Sequence, residues 1–211
     1  NKYVFQFSEI DNDILNSKVK TFYAAERIKT AHKVNGKIYL LDSMDGLLVF
    51  KDGQFNKING SEIFRDNTIY SMLPYNDDGS EILIASRKGG AFIYDGSQFI
   101  PFKTEADEYL KENSLYLPGI KLPDGTFLFN TSQGGCANID RSGRLIRIID
   151  INTGIADDGV LSVFYSDNKL WLALQNGISV VDIPSPVNYF NPVVGLKGSV
   201  SDIKVYNGIV Y

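Results

Sequence analysis

Apolar residues along this chain come in short runs of four to seven, broken by polar stretches that carry Gly, Asn or Asp. The segment "NGKIYLLDSMDGLLVF", residues 35–50, shows the arrangement: a turn pair, an apolar run, a polar break ending in glycine, and a second apolar run. Runs of this length between turn formers predict β-strands, because a helix needs a longer segment with a 3.6-residue apolar period. The arrangement recurs. "EILIASRKGGAFIYDGSQF" starts at Glu81, "TFLFNTSQGGCANIDRSGRL" at Thr126, "KLWLALQNGISVVDI" at Lys169 and "GIVY" at Gly208. The first apolar residues of these runs, Ile38, Ile82, Phe127, Leu170 and Ile209, stand 44, 45, 43 and 39 residues apart.

Two further landmarks keep step. Gly46, Gly90, Gly135 and Gly177 follow the run starts at a nearly constant distance, which predicts a turn with positive φ or a close backbone approach in each unit. Asn35-Gly36, Asp78-Gly79, Asp124-Gly125, Asp167-Asn168 and Asn207-Gly208 precede the runs and favour tight hairpins. Before each pair lies another alternating run, such as "IKTAHKV" and "IYSMLPY". After the glycine comes a third, such as "LLVF" and "AFIY". In three units a fourth follows: "QFNKI", "QFIPF" and "RLIRII".

Four short antiparallel strands at a period of about 43 residues describe a blade of a β-propeller. A single four-stranded sheet cannot shelter both its faces, so blades stack and each covers its neighbour. A β-sandwich or barrel is the other all-β arrangement with many short strands, but it would not produce such regular landmarks. The units predict blades at about 27–66, 67–113, 114–159 and 160–199, with a partial blade over 1–26 and a truncated one over 200–211. Either the two ends complete one blade of a five-bladed ring, or the chain is an arc of a larger ring. The final run, cut off at "NGIVY", points to the arc. Residues 104–113, "TEADEYLKEN", predict one or two helical turns between blades.

Composition narrows the function classes. Of 211 residues, 44% are hydrophobic, 22% charged and 12% aromatic, and 19 are Gly, a balance that suits a folded, turn-rich β protein. A net charge of -4 without a basic patch argues against nucleic acid as a partner. No run of 18 apolar residues is present, so no membrane insertion by this region is expected. The single Cys136 excludes an internal disulfide without settling the compartment.

The fourth unit, "DDGVLSVFYSDNKLWLALQNGISVVD" at 157–182, resembles the two-component regulator propeller repeat, whose pattern places a Trp in the central run and a glycine in the next turn. Trp171 and Gly177 match, Asn168 and Ala173 replace glycine or another small residue, and Tyr39, Leu83 and Leu128 replace the Trp in other units. The resemblance extends over about residues 27–211. It implies the periplasmic or extracellular sensor region of a bacterial membrane-bound regulator, responding to glycan breakdown products. Such repeats typically form two seven-bladed rings ahead of an immunoglobulin-like module, a membrane helix and a kinase or DNA-binding output.

No constellation in the sequence names a reaction, and no catalytic residue, metal site or cofactor is expected. His32 is the only histidine and lacks a companion for acid–base work. Cys136 has no histidine partner and suits a small buried filler. The carboxylate pairs Asp42/Asp45, Asp77/Asp78 and Asp157/Asp158 sit at turns, where Asp is favoured by bonding its own backbone. "DNDIL" at 11–15 begins like a calcium loop but lacks the glycine and distal Glu. Asn59-Gly60-Ser61 and Asn130-Thr131-Ser132 have the form of glycosylation acceptors. Trp171, within "LWLAL", is expected in the core between blades. Ligand-binding residues are not identifiable individually; the segments "KTEADEYLKENSLYLPG" and "IPSPVNYFNPVVGLKG", with Tyr109, Tyr116, Tyr189 and Phe190, are the places to look.

The expected function is therefore a non-catalytic ligand-sensing propeller. The expected partners are an oligosaccharide, further blades or a second propeller of the same chain, and a second copy in a homodimer. A docking propeller with rim loops as a protein interface is the alternative, followed by a fragment of a propeller-fold glycan lyase or hydrolase.

Overall fold

The structure is a computed structural model, which describes residues 3–8, 18–23, 27–88, 90–183, 204–206 and 209–210. Its strands fall into separate antiparallel sheets, each a meander in which consecutive strands pair. A first hairpin pairs β1 (Tyr3–Ser8) with β2 (Lys18–Tyr23). The next sheet is built from β3 (Ile28–Val34), β4 (Lys37–Asp42), β5 (Gly46–Lys51) and β6 (Gln54–Lys57). A second contains β7 (Ile69–Pro74), β8 (Ile82–Ser86), β9 (Gly90–Tyr94) and β10 (Phe99–Phe102). A third contains β11 (Ile120–Lys121), β12 (Phe127–Asn130), β13 (Cys136–Ile139) and β14 (Leu145–Ile149). The fourth has three strands among the described residues: β15 (Val160–Ser166), β16 (Lys169–Leu174) and β17 (Gly177–Asp182). The short strands β18 (Val205–Tyr206) and β19 (Ile209–Val210) pair with each other.

Ile38, Ile82, Phe127 and Leu170 thus stand at equivalent places in four different sheets, as a propeller requires and a single continuous sheet does not. The chain is a β-propeller. Its core is divided among the gaps between blades, and the strand period of two does the dividing. Leu41 and Ile84 meet in the gap between blades 1 and 2, with Tyr39, Leu47, Ile69 and Met72. Leu83, the neighbour of Ile84 in β8, points the other way and joins Phe127, Phe129 and Ala137 between blades 2 and 3. Leu128, between those two phenylalanines, faces blade 4 with Cys136, Leu170 and Leu172. Leu40 and Leu48 turn back towards Val4 of the first hairpin.

Local chemistry sets the turns. Asn35 and Gly36 both have positive φ (50° and 73°), as do Asp167 and Asn168 (54° and 60°), the backbone of the tightest hairpins. Gly46, Gly90, Gly135 and Gly177 all lie at positive φ, as the recurring glycine predicted. At Gly46 there is also no room, because a Cβ would sit 2.5 Å from the Ser61 carbonyl oxygen. A register shift recurs near the start of the innermost strand in three blades, at Ile28/Thr30, Ile69/Ser71 and Val160/Ser162. A 3-10 turn at Ser61–Phe64 links blades 1 and 2, the helix α1 (Asp107–Glu112) lies between blades 2 and 3, and a second 3-10 turn, Ile151–Thr153, links blades 3 and 4.

Trp171 departs from expectation. Its side chain is 44% exposed rather than packed in the core. It lies in register with Phe164, 65% exposed, and with Val180, forming an apolar row across the outer face of blade 4. Burial on a propeller face is decided by the neighbouring blade, and among the described residues none covers this one.

Candidate ligand-binding cavities on the rims

The meander sorts the loops. Turns between the second and third strands of each blade share one rim with the linkers between blades. The other hairpin turns share the opposite rim. Most polar residues singled out from the sequence hold these rims together.

Asp42, at the end of β4, is fully buried and its carboxylate accepts from the backbone N–H groups of Arg27 (2.8 Å), Met44 (2.8 Å) and Asp45 (2.9 Å). Burial alone would raise its pKa, but the N–H groups of Arg27, Asp45, Met44 and Ser43 outweigh this and hold the carboxyl below its ordinary range. Asp78 caps the turn N–H of Ser80 (2.9 Å), Asp157 that of Gly159 (2.7 Å), and Asp158 accepts from Ile151 (2.8 Å). Asp77 instead reaches across to blade 3, bonding the Lys121 ammonium (2.8 Å) and the Arg141 guanidinium (2.6 Å). Lys121 first, then Arg141, draw its pKa down to about 2.

His32 lies on the innermost strand of blade 1, its Nε2 3.2 Å from the Ile69 carbonyl oxygen of blade 2 and 3.2 Å from Thr30 Oγ1. Burial lowers its pKa, and the Ile69 carbonyl only partly offsets this, so the imidazole is a neutral joint between blades. The Cys136 thiol is buried, donates to Asn130 Oδ1 (3.5 Å), and burial pushes its pKa up to about 12. Such a thiol is inert rather than nucleophilic. Asn130 is itself buried, its amide donating to the Pro118 carbonyl (2.9 Å), which closes that acceptor sequence in the folded chain. Gly60 of the other acceptor sequence has a φ of 79° and caps the turn at Ser61–Phe64. Residues 11–15, Tyr189 and Phe190 lie outside the described residues. Among the described residues no group of three or more His, Cys, Asp or Glu is placed to hold a metal ion, and no helix is long and apolar enough to cross a membrane.

Two cavities open on the rims, both at junctions between blades. The first, of about 170 Å³, lies between β8, β9 and the linker containing α1. That linker is one of the two segments picked out from the sequence. Tyr109 does not line the cavity; its phenol donates to the Gly134 carbonyl and is raised to about 12, by burial first and then by Asp150 and Asp158. Tyr116 packs edge-on against Tyr70, with ring centroids 5.8 Å apart. The second cavity, of about 120 Å³, lies on the opposite rim between blades 1 and 2. Tyr39 and Tyr94 form its walls, with Asn35, Lys37 and Ser80 at its edge. The Asn35 amide crosses to the Gly79 carbonyl (2.7 Å) and so ties the two blades at the cavity's edge. The Tyr94 hydroxyl donates to the Gly96 carbonyl (3.0 Å). Burial raises the Tyr39 phenol above its ordinary value, with Tyr94 adding to the effect, so the phenol stays protonated and able to donate.

No family model matches this chain, and neither does any curated protein sequence. Solved structures do resemble it. The extracellular domain of a one component system from B. thetaiotaomicron aligns with a TM-score of 0.57 at 17% identity, covering 80% of this chain and 24% of that one. The extracellular domain of a hybrid two component system from the same organism aligns at 0.52 and 18%, covering 80% and 23%. The WD40 β-propeller domain of Doa1 aligns at 0.55 and 12%, covering 85% and 60%. The chain spans about a quarter of the length of the two regulator domains. The likeness establishes the propeller fold, and it falls on the kind of regulator that the repeat text resembles.

Proposed function

We propose that this chain is a non-catalytic sensing segment from the extracellular or periplasmic part of a bacterial membrane-bound regulator, and that its ligand is a glycan breakdown product. The tyrosine-walled cavity between blades 1 and 2 carries this reading. Aromatic walls suit the C–H faces of a sugar ring, while Asn35, Lys37, Ser80 and the Tyr39 hydroxyl can meet its hydroxyls. Because the walls come from two blades, an occupant favours one packing of those blades over another, which is all that ligand-biased signalling needs. The likeness to regulator extracellular domains supports the signalling role. A non-catalytic role agrees with the engagement of Asp42, Asp77, Asp157, Asp158, His32 and Cys136 in turns, ion pairs and blade joints.

The four blades are, in this proposal, an arc of a larger ring. The row Phe164, Trp171 and Val180 supports it, since that apolar face has the composition of the buried faces elsewhere in the molecule. The test is a thermal-shift series with neutral mono- and oligosaccharides on the chain and on Tyr94→Ala. At about 10 mM even a millimolar ligand raises the transition measurably. A saturable rise that Tyr94→Ala removes is the expected result. No rise with any glycan, or a rise that Tyr94→Ala leaves intact, rejects the sugar site.

A further inference from the structure

The cavity beside α1 differs in character from the tyrosine-walled one, and we propose that it binds a small apolar ring carrying one carboxylate, an aryl carboxylate in the simplest case. Size comes first. An apolar cavity of about 150 Å³ accepts one benzene ring, and this one measures about 170 Å³. Its floor is apolar, formed by Ala85, Ala91, Leu110, Leu115 and Phe129. The hydroxyls beside it are already engaged: Ser86 Oγ donates to the Gly90 carbonyl (3.0 Å), and Thr104 Oγ1 donates to Asp107 (2.6 Å). A sugar ring placed here would bury hydroxyls without partners, at a cost that a flat apolar ring does not incur.

Charge at the mouth selects the second feature of the ligand. Arg87 and Lys88 approach from the turn after β8, and Lys111 from α1. Among the described residues none of the three makes an ion pair. Asp107, the one carboxylate lining the cavity, is turned onto the Thr104 backbone N–H (3.2 Å) and hydroxyl. The mouth therefore presents three cations against one committed anion. A guanidinium and ammonium groups at the entrance to an apolar slot fit a carboxylate held just outside a buried ring.

Both walls are set before a ligand arrives. The backbone N–H of Arg87 donates to the Thr68 carbonyl (2.9 Å) and that of Lys88 to Asn67 Oδ1 (2.9 Å). On the other side the Leu115 N–H donates to the Leu110 carbonyl (2.7 Å), and Tyr109 ties the helix to Gly134. A site with fixed walls loses little ordering entropy on binding. It is independent of the sugar site, so either can fail alone.

Calorimetric titration of the chain with benzoate, benzamide and glucuronate at low salt tests the assignment. Benzoate is expected to bind, with benzamide and glucuronate each about tenfold weaker or worse, because one lacks the charge and the other the apolar ring. Arg87→Ala and Lys111→Ala are each expected to weaken benzoate about tenfold, the worth of one charge-assisted contact. Both residues are exposed, so the melting temperature without ligand should not move. Tyr94→Ala should leave benzoate binding unchanged. The proposal is overturned if benzoate does not bind at about 10 mM, a concentration that reveals millimolar affinity. Equal binding of benzamide, tighter binding of glucuronate, or indifference to both cation substitutions would overturn it as well.

Discussion

Phe64 offers a direct measure of how much stability resides in the gaps between blades. It lies in the linker turn after blade 1, is fully buried, and meets Phe92 edge-on at 5.3 Å and Phe99 edge-on at 5.2 Å, both from blade 2. Phe64→Ala removes a ring that no neighbour can replace without moving a strand. Such truncations cost about 3–5 kcal/mol, from lost transfer energy and the cavity left behind. Phe64→Leu restores much of the volume but not the two edge contacts, each worth about 0.5–1.5 kcal/mol, and should cost about 2 kcal/mol. Phe164→Ala is the control. At 65% exposure it has little burial to lose in this chain, and should cost less than about 1 kcal/mol. Urea denaturation followed by far-UV circular dichroism gives the midpoints, with the slopes reporting whether cooperativity survives. The reasoning fails if Phe64→Ala costs less than about 1 kcal/mol, or if Phe164→Ala costs as much as Phe64→Ala. In a longer chain where a further blade covers the fourth, Phe164→Ala should rise towards the Phe64 value.

Two other outcomes follow from the rims. Asp42→Ala leaves the backbone N–H groups of Arg27, Met44 and Asp45 without the carboxylate that accepts from them and should cost about 1–3 kcal/mol, measured by the same denaturation; Asp42→Asn, which keeps one carbonyl oxygen, should cost less. The pairing of Asp77 with Lys121 and Arg141 holds its pKa near 2, below that of the unfolded chain. Its contribution is therefore complete above the ordinary carboxylate range and fades as pH falls towards 2, so the stability difference between the chain and Asp77→Asn should shrink across that acid window.

Much of the architecture was legible before any coordinates. The recurring Asn-Gly and Asp-Gly pairs, the glycine at one place in each unit and the alternating runs are local features, and local sterics translate them into turns and strands. A further local pattern repeats in three blades. Ile28-Lys29-Thr30, Ile69-Tyr70-Ser71 and Val160-Leu161-Ser162 share an apolar residue, a variable one and a small hydroxyl, and each marks the register shift near the start of an innermost strand. In blade 2 the Ser71 hydroxyl of this motif accepts from the Gly119 N–H of blade 3 at 2.7 Å.

The sites were not legible in the same way. Asn35 meets Gly79, and Asp77 meets Lys121 and Arg141, across gaps that no local pattern encodes. The linker with α1 could be singled out as a place for a ligand, but two of the three cations at that cavity's mouth come from the turn after β8, outside the linker. Trp171 shows the limit most clearly: alternation places it on one face of β16, and only the presence or absence of a neighbouring blade decides whether that face is buried. By itself the sequence determined the repeat, the strands, the turns and hence the stacking of small sheets, because each depends on residues a few positions apart. The tertiary structure alone decided which polar groups meet, where the rim cavities open and which apolar face is left uncovered among the described residues, because those depend on side chains brought together from separate blades.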